Sequence, residues 1–241
     1  MLESALNGSL KPTDGFRSVK YKFDYMKEHP NFFNPSGLLV FCGPQGSGKT
    51  LSAVQYVKKI IEMYPRCILV SNVIIEGLPI SNNYIEYDGI DCLKNIENDI
   101  YGVLYFIDEI HLEFNSLESK NIDIEIMTEI SQQRKQRKHI VGTSQIYGRM
   151  AKPLREQIKN VVLCENYFGI LQKNVLIDGQ KTREENGKLV VDKVKNNFFF
   201  HTPELYCCYD TYAKMKRYRN EWQGRQRIAL PVSEGGSIFG S

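Results

Sequence analysis

Residues 38–50 read Leu38-Leu39-Val40-Phe41-Cys42-Gly43-Pro44-Gln45-Gly46-Ser47-Gly48-Lys49-Thr50. Five apolar residues predict a buried strand, and the Gly-x-x-x-x-Gly-Lys-Thr after them is a complete Walker A phosphate loop. Beyond it Leu51, Val54, Val57, Ile60 and Ile61 recur at helical spacing, so the loop has a strand before it and a helix after. Gly43, Gly46 and Gly48 let backbone N–H groups approach an anion with no Cβ in the way. The helix N-terminus adds its partial positive charge at the same point. Lys49 is expected to reach the β- and γ-phosphates of ATP and the Thr50 hydroxyl to ligate Mg²⁺. Pro44, Gln45, Ser47 and Leu51 complete the nucleotide cradle.

About sixty residues on, Val103-Leu104-Tyr105-Phe106-Ile107 ends in Asp108-Glu109. An apolar strand capped by two acids is the Walker B pattern. Asp108 is expected in the Mg²⁺ shell, and Glu109 is expected to orient and polarise an attacking water. The second acid points to hydrolysis rather than phosphoryl transfer to a small acceptor. Ile140-Val141-Gly142-Thr143-Ser144-Gln145 predicts the next core strand. Its terminal Gln145 is a candidate to touch the γ-phosphate or the water; a strand-end glutamine bonded to backbone is the simpler reading.

Between and beyond these strands the pattern is that of an α/β chain. Residues 67–71 and 161–164 predict core strands, 84–87 a short strand, and 90–100, 122–136 and 151–158 helices. Residues 169–177 and 188–200 predict a β-hairpin with turns at Asp178-Gly179 and Asn186-Gly187. Residues 205–209 predict one more strand before a basic helix at 212–219. The expected organisation is an arm (1–36, an arm or short helix packed on the domain), an ATPase core (37–168), a hairpin and basic-helix extension (169–230) and a loose tail (231–241).

The 241 residues, 42% of them hydrophobic, suit one α/β domain with a sizeable core. No apolar run is long enough to cross a membrane, and the first residues lack the apolar segment of a signal peptide. Six cysteines without a C-x-x-C pair predict reduced core thiols. The net charge of +3 hides an uneven distribution. Residues 131–155 hold Arg134, Lys135, Arg137, Lys138, Arg149, Lys152 and Arg155 and no acid, and residues 214–227 are basic again. Such runs are ordinarily solvated faces; two of them in an ATP-binding chain point towards a phosphate-backbone partner.

The order of Walker A, an intervening strand, apolar-Asp-Glu, a basic segment and a strand ending in Gln resembles the FtsK–HerA superfamily of DNA-pumping ATPases, over residues 38–162. Within it the chain looks like the phage and viral branch of zonular occludens toxin-like assembly proteins and genome-packaging ATPases. Tyr209-Asp210-Thr211-Tyr212 is similar to a motif of phage ATPases of this kind. The resemblance implies a RecA-like sheet with an additional strand between the Walker strands, assembled as a ring, usually a hexamer. It also implies an arginine from the neighbouring subunit, a role that carries onto Arg137, with Arg134 as the substitute one helical turn earlier. Arg149, Lys152 and Arg155 are candidates for phosphate contacts in the ring channel.

Zonular occludens-type extrusion proteins carry a membrane anchor after the ATPase domain, and these residues hold none. The expectation is therefore a double-stranded DNA packaging motor held at a capsid or portal vertex, in the host cytoplasm or with the virion. The alternatives are an extrusion ATPase, a replication helicase, a loader or partition ATPase, a small-molecule kinase, and a non-catalytic nucleotide-gated binding protein. A loader calls for a helical lid where this chain is β-rich, and a kinase calls for an acceptor pocket.

Overall fold

In the computed structural model alternate residues of the first strand, β1 (Gly37–Cys42), face opposite sides of a sheet. Leu39 and Phe41 join one buried cluster; Leu38, Val40 and Cys42 join the other. The structure describes residues 12–29, 32–78, 83–114, 124–179, 183–185, 188–190 and 193–209. Among them the main sheet also contains β2 (Ile68–Ser71), β3 (Tyr84–Glu86), β4 (Val103–Ile107), β5 (Lys138–Ser144), β6 (Ile158–Tyr167) and β7 (Leu171–Asp178). A separate ribbon pairs β8 (Arg183–Glu185) with β9 (Lys188–Val190), and β10 (Lys193–Phe200) returns to the main sheet. The strand order is β10-β7-β6-β1-β5-β4-β2-β3.

From β6 to β3 all pairings are parallel, and β7 and β10 add an antiparallel edge. Strands buried on both faces must be apolar throughout, and β4 is buried at every position. Helices cover both faces. On one, α2 (Lys49–Met63) lays Leu51, Val54, Val57 and Ile61 against Leu39, Phe41, Leu104 and Phe106. On the other, Ile110 of α4 (Ile110–Glu113), Ile130 of α5 (Ile124–Gln136) and Leu154 of α6 (Lys152–Gln157) meet Tyr105, Ile107 and Ile140. Each such side chain contributes about 1.5–3 kcal/mol when fully buried.

β5 lies between the two Walker strands, hydrogen-bonded in parallel to β1 on one side and β4 on the other. This is the RecA-like P-loop arrangement with an additional strand. It brings the C-terminal ends of β1, β5 and β4 to one edge, where ligands of open α/β sheets bind.

Four sequence expectations change. The arm contains a 17-residue helix, α1 (Pro12–Glu28), longer than a short helix; it leaves Phe16, Val19 and Phe23 exposed, while the arm packs on the domain through Phe33, buried in the core against Tyr64. The predicted helix over 90–100 splits into α3 (Cys92–Asn95) and a 3-10 turn (Asp99–Tyr101), broken at extended Ile96. The predicted hairpin forms with a shorter second strand: β7 pairs with β10, inside the expected 188–200, while residues 188–190 pair with β8. Residues 205–209 form no strand: α7 (Pro203–Cys207) occupies that place, and Tyr209 makes one antiparallel bridge to Ile75. The turn at Asn186-Gly187, the basic run at 214–227, the predicted helix at 212–219 and the tail lie outside the described residues.

Candidate functional site

The loop after β1 folds as a phosphate cradle because of what its glycines permit. Gly46 and Gly48 take φ of 80° and 77°, and a Cβ on Gly48 would strike the side chain of Gln172. Helix α2 starts at Gly48 with no side-chain cap and no acid in its first turn, so its N-terminal N–H groups remain suited to an anion. Ser47 Oγ is buried with no hydrogen-bond partner, a second polar group turned into the loop. Lys49 is buried, and its Nζ donates to the carbonyl of Pro44 at 3.1 Å.

The Walker B acids meet this cradle. Thr50 Oγ1 donates to Asp108 Oδ1 at 3.0 Å, across 58 residues of sequence. The same carboxylate oxygen accepts from Thr143 Oγ1 at 2.7 Å. Asn72, just past β2, holds the backbone of Asp108 from both sides: its Oδ1 accepts from Asp108 N at 2.8 Å and its Nδ2 donates to Asp108 O at 3.0 Å. Glu109 stands in the left-handed region (φ 57°), its N–H donating to Thr143 Oγ1 at 2.9 Å and its carboxylate 3.3 Å from His111 Nδ1. A hydroxyl and a carboxylate converging beside a phosphate cradle fit Mg²⁺, which takes one or two protein oxygens and completes its shell with phosphate and water.

Gly48, Lys49, Thr50, Asp108 and Glu109 line a cavity of about 610 Å³, together with Gln145, Asn166, His201, Tyr206 and Tyr209. The last three come from the chain beyond β10, which runs across α2 through α7. His201 connects this segment to the loop. Its Nε2 meets Gln172 Oε1 at 3.1 Å, and Gln172, itself fully buried, donates to Ser47 O at 2.9 Å. On the other side of the ring, His201 Nδ1 lies 2.5 Å from the Tyr206 hydroxyl, which donates to Gly169 O. Burial, with the nearby Asp108 charge second, pushes the Tyr209 phenol up to about 12, so it is a neutral hydroxyl. Burial likewise pushes the Cys42 and Cys164 thiols behind the loop up to about 12, which leaves them unreactive. All six cysteines are free.

The structure therefore brings together Lys49, Thr50, Asp108, Glu109 and Gln145. Arg137 stands elsewhere, immediately before β5 and so at the opposite end of that strand from Gln145. Its guanidinium lies 4.7 Å above the Phe32 ring and 3.6 Å from Asp99. Lys152 is exposed, 4.0 Å from Glu156, and Arg155 lies over the Tyr147 ring at 5.8 Å. The side chains of Arg134 and Arg149 lie outside the described residues. Lys138, counted in the basic run, is buried and donates to Leu93 O at 2.7 Å, so it is a structural cation and not part of a phosphate-facing surface.

Asn72, Thr143, Gln172 and His201 are among the site residues that escaped sequence reasoning. Asn72 and Thr143 carried a signal, since small polar residues at the C-terminal ends of core strands face the ligand edge. Gln172 and His201 carried none, because only the antiparallel return of the chain brings them to the loop.

No protein-family model and no curated protein matches the sequence. Among solved structures the chain is similar to the N-terminal domain of zonular occludens toxin from Neisseria meningitidis: TM-score 0.45, 16% identity, covering 73% of this chain and all of that one. It is also similar to the genome packaging NTPase B204 of Sulfolobus turreted icosahedral virus 2, in complex with ATP-gammaS: TM-score 0.47, 12% identity, covering 66% of this chain and 97% of that one. A third is the flagellar accessory protein FlaH from Methanocaldococcus jannaschii, with a TM-score of 0.39 and 13% identity, covering 69% of this chain and 95% of that one. The first two are proteins of the kinds that the sequence resemblance names.

Proposed function

We propose that this protein hydrolyses ATP to move double-stranded DNA, as the packaging motor of a virus or phage. The reading includes assembly as a ring, a hexamer, at a capsid or portal vertex. The hydrolase part rests on one observation: the Thr50 hydroxyl 3.0 Å from the Asp108 carboxylate, beside Lys49 and followed directly by Glu109.

In this reading the loop N–H groups and Lys49 bind the phosphates. Thr50 and Asp108 hold Mg²⁺, which when bound spreads the charge of the phosphate oxygens. Glu109 accepts the proton of the attacking water, and Gln145 registers the γ-phosphate. The nucleoside end runs towards Asn166, His201 and Tyr206, which line the same cavity. The exposed Lys152 and the half-buried Arg155 of α6, together with Arg149, supply phosphate contacts to DNA, and Arg137 or Arg134 serves a neighbouring subunit.

The test is phosphate release from ATP by the purified, assembled protein. Hydrolysis needs Mg²⁺, rises with duplex DNA and falls steeply with salt as phosphate contacts give way to counterions. Glu109→Gln lowers kcat by about 10²- to 10⁴-fold. Hydrolysis indifferent to DNA overturns the translocase, strand separation on forked DNA makes it a helicase, and phosphate on an added nucleoside makes it a kinase.

A further inference from the structure

Helix α4 is a single turn directly after the Walker B acids, and it carries a buried histidine aimed back at them. His111 Nδ1 lies 3.3 Å from Glu109 Oε2 and 3.4 Å from Ser144 Oγ. The hydroxyl proton of Ser144 is already committed, donated to Ile146 O at 3.1 Å. Towards His111 the serine oxygen therefore accepts, and the carboxylate oxygen accepts as well. Both demands are met when Nδ1 carries a hydrogen, which fixes the tautomer at that nitrogen. One N–H is thus shared between the Walker B glutamate and the last residue of β5, the neighbour of Gln145.

Glu109 needs such a partner. Its backbone sits in the left-handed region, which costs a β-carbon residue about 1–2 kcal/mol, and no regular element sets the direction of its side chain. The N–H bond to Thr143 fixes the backbone. The carboxylate itself is held at Oε2, and Glu109 lines the same cavity as Lys49, which leaves Oε1 as the oxygen to engage a water.

We propose that His111 is a positioning residue: its Nδ1–H holds Glu109 Oε2 in the orientation that activates water, and ties it to the Ser144–Gln145 strand end. It rests on the hydrolase reading above. The link gives Gln145 a mechanical route to the base, because a small shift at Ser144 moves the shared hydrogen towards or away from the carboxylate. Displacements of about 1 Å at a reacting group can cost a hundredfold in rate.

The test is steady-state ATP hydrolysis by the full chain with thermal unfolding measured on each variant. His111→Phe, which keeps the ring and loses the donor, lowers kcat by about 10- to 100-fold and leaves KM for ATP within about threefold. His111→Asn, whose amide nitrogen falls near the position of Nδ1, recovers most of that loss; His111→Gln, whose amide falls near Nε2, does not. In a Glu109→Gln background, His111→Phe adds less than about twofold, since the group it positions is gone. An active wild type with His111→Phe equally active overturns the positioning role alone. So does an asparagine variant no faster than the phenylalanine variant at equal stability. A wild type that binds ATP and releases no phosphate overturns both the hydrolase reading and the role built on it.

Discussion

Gly48 is held by two independent constraints, a φ of 77° and the side chain of Gln172 where a Cβ would go. Gly48→Ala is expected to weaken ATP binding by more than about tenfold in a titration. Adding Gln172→Ala restores only part of it, because the left-handed backbone still costs about 1 kcal/mol. His139 is a second residue whose environment makes a measurable claim. Its ring lies between the Gly37 carbonyl (Nδ1, 2.8 Å) and the Tyr56 hydroxyl (Nε2, 3.0 Å), and burial lowers its pKa from 6.5 to about 4 against the opposing effect of Gly37. Between those values the unfolded chain binds a proton that the folded chain does not, so stability rises with pH. The contribution is full above pH 6.5 and is lost as pH falls to about 4, up to about 3 kcal/mol. Urea unfolding at about pH 7 and about pH 4.5 checks it: His139→Gln loses less stability between the two than the wild type.

At the scale of elements, α7 decides how the nucleotide cavity is closed. Its apolar residues read as a strand, yet Thr202-Pro203-Glu204 before them is a helix-start signature. The Thr202 side chain accepts from Leu205 N, proline occupies the first turn, and Glu204 adds an acid there. Leu205 and Cys208, three apart, then bury against the α2 side of the sheet, as helical spacing requires. This leaves Tyr206 lining the cavity, with its hydroxyl at His201 Nδ1 and donating to Gly169 O. Tyr206→Ala is expected to raise KM for ATP about tenfold while changing kcat less than about threefold, because it loses contact with the nucleoside and not with the reacting phosphate. Equal loss in kcat would place the ring at the chemistry instead.

For the whole molecule, the sheet separates two ends. The phosphate cradle, the carboxylates and Gln145 lie at the C-terminal edge of the parallel strands, and Arg137 precedes the seven-residue β5 at the other. A strand of that length holds them about 20 Å apart, so Arg137 cannot serve its own site. On the ring reading it reaches a neighbour after leaving Phe32. Arg137→Ala is then expected to cut hydrolysis by about 10³- to 10⁵-fold in the assembled protein and to leave ATP binding intact. Mixing Arg137→Ala with Lys49→Ala subunits restores part of the activity if the arginine acts across subunits, and restores none if it acts within one.

Local pattern was enough for the strand–loop–helix at residues 38–63, for the acids after β4 and for the polar end of β5. Each is encoded by neighbours in sequence, through strand and helix periods and glycine's backbone freedom. What sequence alone left open was everything that depends on register between distant strands. Thr143 reaches Asp108 because β5 inserts beside β4, and Gln172 reaches Ser47 across 125 residues because β7 folds back along β6. Lys138 looked like its basic neighbours until the packing of α3 against the sheet buried it under Leu93. Residue types and spacing determined which chemistry the chain can hold; the pairing of strands far apart in sequence decided which side chains surround it, because those contacts exist only once the sheet has closed.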